Sequence, residues 1–171
     1  GRVQQFLEKM EKPIAKTINA GCYILTSNVV AAIKPGEVVS VERETFPKLL
    51  ESGARVTGFV DSQYWIDMGT PQSLIQASRD LILEPGRTSL RTGATNGSLI
   101  STGAKVDPTA RIGEGSCIED GAVIGAGAII SGSIISAGAK IDAGAVIIDS
   151  FIAPNTRVIS GSSLNNAIFG Y

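Results

Sequence analysis

Between residues 106 and 158, aliphatic side chains return at nearly constant spacing: Val106, Ile112, Ile118, Ile124, Ile130, Ile135, Ile141, Ile147, Ile152 and Val158. Most steps are six residues; two are five. Four positions after most of them stands a small residue, as at Ala110, Ser116, Ala122, Ala128, Ala139, Ala145 and Thr156. Glycine fills many intervening positions. A period of six fits neither a 3.6-residue helix nor a simple hairpin ladder. It predicts a solenoid of short strands and tight corners, a hexapeptide β-helix. Each aliphatic residue points inward and stacks on its equivalents about 4.8 Å away. Each burial is worth about 1.5–3 kcal/mol. Three hexads make a coil, so about three coils are expected. Both five-residue steps carry a serine before two apolar residues, Ser133-Ile134-Ile135 and Ser150-Phe151-Ile152, and read as corners tightened by one residue. A Gly/Ala-rich linker would not hold ten aliphatics in register.

The first half is patterned differently. Residues 2–8 predict a strand and 11–16 a polar loop around Pro13. Residues 17–26 predict a strong strand with Ile18, Tyr23, Ile24 and Leu25. Ser27 is placed to cap a short helix over 28–33, and Pro35-Gly36 makes a turn. Short helices follow over 41–46 and 47–52, with Pro47 suited to a first turn and Gly53 to a stop. A strand is expected over 55–60 and an extended piece over 64–67. Thr70 and Pro71 then open a helix whose face is marked by Leu74, Ser78 and Leu81. Such alternation predicts an α/β arrangement. The strand at 2–8 has no evident partner, so residues 1–83 read as the trailing part of a larger α/β domain. A small complete α+β domain would leave an exposed sheet edge.

Composition places the boundary. Twenty of the 31 charged residues lie in the first 90 positions, and 13 of the 20 glycines lie after them. The change falls in 84–97, rich in Pro, Gly, Thr and Ser and without period, which reads as a linker between 1–83 and 98–171. A net charge of −1 gives no reason to expect nucleic-acid binding. No apolar run approaches a membrane span. Cys22 and Cys117 form no metal-spacing motif and suit a reducing, cytoplasmic setting. The sequence has no histidine, which removes Ser-His, Cys-His and His-metal chemistry from these residues.

Three motifs in order then carry a resemblance. Gly1-Arg2-Val3 through Phe6, Glu8 and Lys9 resembles the strand that ends in Glu-Lys-Pro in sugar-1-phosphate nucleotidyltransferases. Ile18-Asn19-Ala20-Gly21-Cys22-Tyr23 is similar to their Ile-Asn-Ala-Gly strand, and Trp65-Ile66-Asp67-Met68-Gly69-Thr70-Pro71 to their Trp-x-Asp-x-Gly-Thr-Pro segment. Ser40 through Pro47, with Glu42, Arg43 and Phe46, resembles the mannose-1-phosphate guanylyltransferase (GDP-mannose pyrophosphorylase) branch, which commonly carries a C-terminal β-helix. The resemblance spans essentially the whole chain. It implies the trailing part of a Rossmann-like nucleotidyltransferase domain followed by a left-handed parallel β-helix, against the usual right-handed crossover.

The activity implied is transfer of a nucleotidyl group from a nucleoside triphosphate to a sugar 1-phosphate, giving a nucleoside-diphosphate sugar, here GDP-mannose, and pyrophosphate. By position, Glu8 corresponds to the acceptor for sugar hydroxyls and Lys9 to the cation on the sugar phosphate. Asn19 corresponds to an amide that both donates to and accepts from the sugar, and Gly21 to a close backbone approach. Asp67 corresponds to one of two aspartates that share Mg²⁺. Met10 stands where the family has proline, and Ala15-Lys16 where it has Ser-Asn. The family's glycine-rich nucleotide loop and first metal aspartate are absent. Gly113-Glu114-Gly115 and Gly125-Ala126-Gly127 are hexad corners, since they follow no long strand and open no helix. A C-terminal fragment, inactive alone and homo-oligomeric through the β-helix, is therefore expected. The other readings are a noncatalytic regulatory or assembly subunit of a sugar-nucleotide pyrophosphorylase, which retention of Glu8, Lys9 and Asp67 opposes, and a hexapeptide acyltransferase, which the lack of histidine opposes.

Overall fold

The computed structural model of the protein describes residues 1–6, 17–87, 94 and 96–170. The chain divides into two units, Gly1–Trp65 and Ile66–Tyr171.

In the second unit, the hexads fold as a parallel β-solenoid. One sheet stacks Leu99–Ile100, Cys117–Ile118, Ile134–Ile135, Phe151–Ile152 and Ile168–Phe169. A second stacks Lys105–Val106, Val123–Ile124, Lys140–Ile141 and Arg157–Val158, and a third Arg111–Ile112, Ile129–Ser131, Val146–Ile148 and Ser163–Asn165. The register superposes the inward aliphatics: Ile118 on Ile135 on Ile152, Ile124 on Ile141 on Val158, and Ile130 on Ile147. All eight are essentially without solvent exposure. Ala122, Ala128, Ala139 and Ala145 fill the narrow space at the corners and are fully buried. Val106, Ile112 and Leu164 sit at the ends of the stack and are only partly covered. The solenoid has about four coils rather than about three. Its terminal strands, Leu99–Ile100 and Ile168–Phe169, pair in register and continue the same spacing: Ile100 stands six before Val106, Leu164 six after Val158, and Phe169 five after Leu164.

The tightened corners take a specific form. Gly132, Asp149 and Asn166 recur at equivalent places with φ of 56°, 44° and 50°. Gly115, at the equivalent place in a six-residue corner, is left-handed as well, with φ 70°, so corners of both lengths turn through such a residue, and glycine, Asp and Asn are the types that tolerate it. The serines beside the first two corners face inward. Ser133 Oγ donates to Ser131 O (2.8 Å) and accepts from Ser150 N (3.0 Å). Ser150 Oγ donates to Ile148 O (2.6 Å) and accepts from Ala167 N (3.0 Å). Each hydroxyl thus satisfies backbone groups that the shortened corner takes out of line, as buried polar groups require.

The long helix, α3 by order in the chain (Pro71–Leu83), belongs to this second unit. Thr70 caps it: its hydroxyl accepts from Ser73 N while Ser73 Oγ accepts from Thr70 N, both at 3.2 Å. The helix buries Ile75, Ala77 and Ile82, whereas Leu74 of the expected face is 37% exposed. The stripe is rotated because packing with the solenoid, not local spacing, chooses the buried side. Arg79 reaches Asp149 at 3.2 Å, and its side chain lies over Gly115 and Gly132, where no Cβ stands in the way.

In the first unit, neither the strand expected over 2–8 nor that over 55–60 forms among the described residues; a single bridge joins the two segments, and residues 7 and 8 lie outside the described residues. Arg2 forms an antiparallel bridge with Thr57, with Val3 N donating to Val56 O (2.9 Å) and Gly58 N to Gly1 O (2.7 Å). The sequence offers no sign of this pairing, since bridge partners are set by distant residues. Residues 17–26 form no strand. Ile18 and Ile24 are 72% and 101% exposed, and β-branched residues alone cannot supply inter-strand hydrogen bonds. Helix α1 (Ser27–Ala31) starts one residue early, with Thr26 rather than Ser27 at its cap position. Val41–Thr45 forms a π-helical turn that runs into α2 (Phe46–Glu51). Gly53, at φ 77°, ends α2 as expected. Phe46 is 4% exposed and packs against Phe6, tilted, and Tyr23, edge-on, with ring centroids 4.7 and 5.0 Å away.

Candidate functional site

Of the five residues singled out by sequence, Glu8 and Lys9 lie outside the described residues. Asn19 and Gly21 are brought together. Gly21 takes a left-handed conformation, φ 74°, and its N–H donates to Asn19 Oδ1 at 3.1 Å. Among the described residues no atom lies within 4 Å of where a Gly21 side chain would begin. Asn19 Nδ2 in turn donates to the Tyr23 hydroxyl and to Glu42 Oε1. The Tyr23 hydroxyl donates to the same Glu42 oxygen at 2.7 Å. The amide is therefore held at both ends, with its NH₂ turned to a carboxylate and a phenol and its carbonyl to a backbone N–H.

Glu42 was not singled out as a site residue. The family-like stretch from Ser40 to Pro47 carried it, but nothing in one sequence says that a residue 23 positions from Asn19 meets its side chain. Its placement has a local cause. Ser40 Oγ accepts from Arg43 N at 3.2 Å, and Thr45 N donates to Ser40 O at 3.3 Å, which sets the wide π turn. Glu42 and Phe46 stand four residues apart on this helical run and so on one face. Phe46 grips the Tyr23 ring while Glu42 takes its hydroxyl.

Asp67 lies in the second unit, exposed, just before α3. Its Oδ1 accepts from Gly69 N at 2.9 Å, a turn that hands the chain to the Thr70 cap. The other carboxylate oxygen takes no part in that turn, and the side chain is exposed. Such an oxygen is a hard donor of the kind Mg²⁺ selects. Among the described residues no group of three or more His, Cys, Asp or Glu could hold a metal ion. Among the same residues no helix is long and apolar enough to cross a membrane.

Residues 1–84 match the family model described as nucleotidyl transferase, and residues 94–171 match the GMPPB C-terminal domain. The chain belongs to the nucleotidyl transferase family. Mannose-1-phosphate guanylyltransferase of Mycobacterium tuberculosis is 43% identical over 127 residues, which are 74% of this chain and 35% of that protein. Mannose-1-phosphate guanylyltransferase 1 of Arabidopsis thaliana is 35% identical over 130 residues, again 35% of its length. This nucleotidyl transferase chain thus spans about a third of the relatives it matches. Among solved structures, the acetyltransferase domain of PglB from Neisseria gonorrhoeae overlaps 61% of this chain and 66% of its own, at 20% identity and a TM-score of 0.38. That overlap is too partial to bear on function.

Proposed function

We propose that these residues form the sugar-phosphate and assembly part of a mannose-1-phosphate guanylyltransferase, which makes GDP-mannose and pyrophosphate from GTP and mannose 1-phosphate. The similarity to named guanylyltransferases across both matched segments carries the reading. In this reaction an oxygen of the sugar phosphate attacks the α-phosphorus. A new P–O bond forms, the α–β phosphoanhydride bond breaks, and pyrophosphate leaves.

Roles follow residue by residue. Glu8 accepts hydrogen bonds from the mannose hydroxyls. Lys9 holds the sugar phosphate as a point charge. Asn19 and Gly21 form the floor beneath the sugar. Asp67 supplies one oxygen for a divalent cation, Mg²⁺ in this reading, with the triphosphate and a second aspartate supplying others. When bound, that ion neutralises charge developing on the phosphates. The 171 residues lack the family's glycine-rich nucleotide loop, so by themselves they form no GDP-mannose.

We read 1–83 as the catalytic-domain portion, 84–97 as the connection and 98–171 as the solenoid. The two matched segments, ending at 84 and resuming at 94, support that division. Packing adds a refinement: α3 is grouped with the solenoid, so Asp67 and the helix it introduces are braced by the repeat. The solenoid is the surface on which copies of the chain assemble, and the protein works in the cytoplasm. The reading is tested by steady-state kinetics of the full-length protein carrying Lys9→Ala. The KM for mannose 1-phosphate should rise far more than that for GTP. Equal effects on both substrates, or none, would remove Lys9 from the phosphate.

A further inference from the structure

We propose that Glu42 is a positioning residue for mannose 1-phosphate: it fixes which end of the Asn19 amide faces the sugar. This rests on reading Asn19 as sugar-facing. The chemistry is one of allowed pairings. A carboxylate has acceptors only, so Glu42 can receive the NH₂ end of Asn19 and never its carbonyl. Glu42 Oε1 does receive Asn19 Nδ2. From the other side the Gly21 N–H, a donor only, faces Asn19 Oδ1 at 3.1 Å. The two constraints agree, and a flipped amide would break both. Tyr23 adds a third support through the same carboxylate oxygen, 2.7 Å from its hydroxyl.

One consequence alters the role given to Asn19. The Nδ2 end is turned to the Tyr23 hydroxyl and to Glu42. Oδ1 keeps a second lone pair. In this orientation Asn19 accepts from a sugar hydroxyl and does not donate to one. The backbone that carries Glu42 is itself unusual. Val41–Thr45 is a π turn, a conformation rare in helices and frequent at functional sites. Here it swings Glu42 and, four residues on, Phe46 to the same partner, Tyr23.

The test uses the full-length protein with mannose 1-phosphate and GTP varied separately. Glu42→Ala should raise the KM for mannose 1-phosphate by roughly tenfold, the scale of one lost hydrogen bond to a charged group, and leave the KM for GTP unchanged. Glu42→Gln keeps a carbonyl acceptor for Asn19 and Tyr23 and should recover most of the loss. Asn19→Ala should match Glu42→Ala, and the double variant should lose no more than the single ones, because Glu42 acts through Asn19. Additive losses would overturn the positioning role. So would equal changes in both KM values, or failure of Glu42→Gln to recover. If Asn19→Ala leaves the KM for mannose 1-phosphate unchanged, the sugar-site reading falls and this inference with it. If Asn19→Ala acts and Glu42→Ala does not, this inference alone falls.

Discussion

Ser116, Ser133 and Ser150 stand at equivalent places in successive coils, all buried, yet they should respond oppositely to loss of the hydroxyl. Ser133→Ala removes an oxygen that donates to Ser131 O and accepts from Ser150 N. The Ser150 N–H would remain buried in the coil stack with no acceptor. An orphaned buried donor costs about 1–3 kcal/mol, which for a unit of this size lowers the melting temperature by roughly 4–20 °C. Ser116 Oγ, by contrast, is buried with no hydrogen-bond partner. Its corner, between Ile112 and Ile118, has six residues rather than five. Ser116→Ala removes an unsatisfied polar atom without opening a large cavity, and should be neutral or stabilising by up to about 1 kcal/mol. Urea and thermal unfolding of the 171-residue chain, followed by far-ultraviolet circular dichroism, measures both. A Ser133→Ala variant as stable as Ser116→Ala would refute the idea that the tightened corners depend on side-chain capture of backbone groups.

Other outcomes follow from the same geometry. Gly132→Ala places a methyl 2.4 Å from Asp149 Oδ1 at a left-handed φ of 56°, and should break the Arg79–Asp149 pair and cost about 1–2 kcal/mol, read as earlier unfolding and faster hydrogen exchange in α3. Burial first, and the Glu119 charge second, push the Cys117 thiol above its ordinary range. Less of it is thiolate at any given pH, so iodoacetamide should label exposed Cys22 and spare Cys117 until the pH is raised or the solenoid unfolds; equal labelling of both in the folded chain would contradict the packing. In the full-length protein, Asp67→Asn keeps the Gly69 turn but removes the charge, and should reduce turnover by at least tenfold and raise the Mg²⁺ concentration needed for half-maximal activity, with the melting temperature unchanged.

The solenoid was legible because its information is local and repeated. An inward aliphatic every five or six residues specifies a short strand, a corner and a stacking register together, and each coil repeats the statement. Even the shortened steps at Ser133 and Ser150 marked real corners. The fourth coil is written in the same spacing beyond Val106 and Val158, at Ile100, Leu164 and Phe169, although its strands pair with a single neighbour. Nonlocal choices were not legible. Arg2 pairs with Thr57, 55 positions on, because backbone hydrogen bonding is indifferent to side-chain identity and leaves no trace in the pattern. Helix α3 buries Ile75, Ala77 and Ile82 because the surface it meets, not its own amphipathicity, selects the face. Residues 17–26 have strand-forming side chains and form no strand, since propensity cannot replace a partner. At the candidate site, sequence likeness pointed to Asn19 and Gly21 one by one. Only the tertiary structure brings Glu42 to Asn19, because a hydrogen bond between side chains distant in the chain depends on where the π turn and α2 are carried, and no local spacing encodes that.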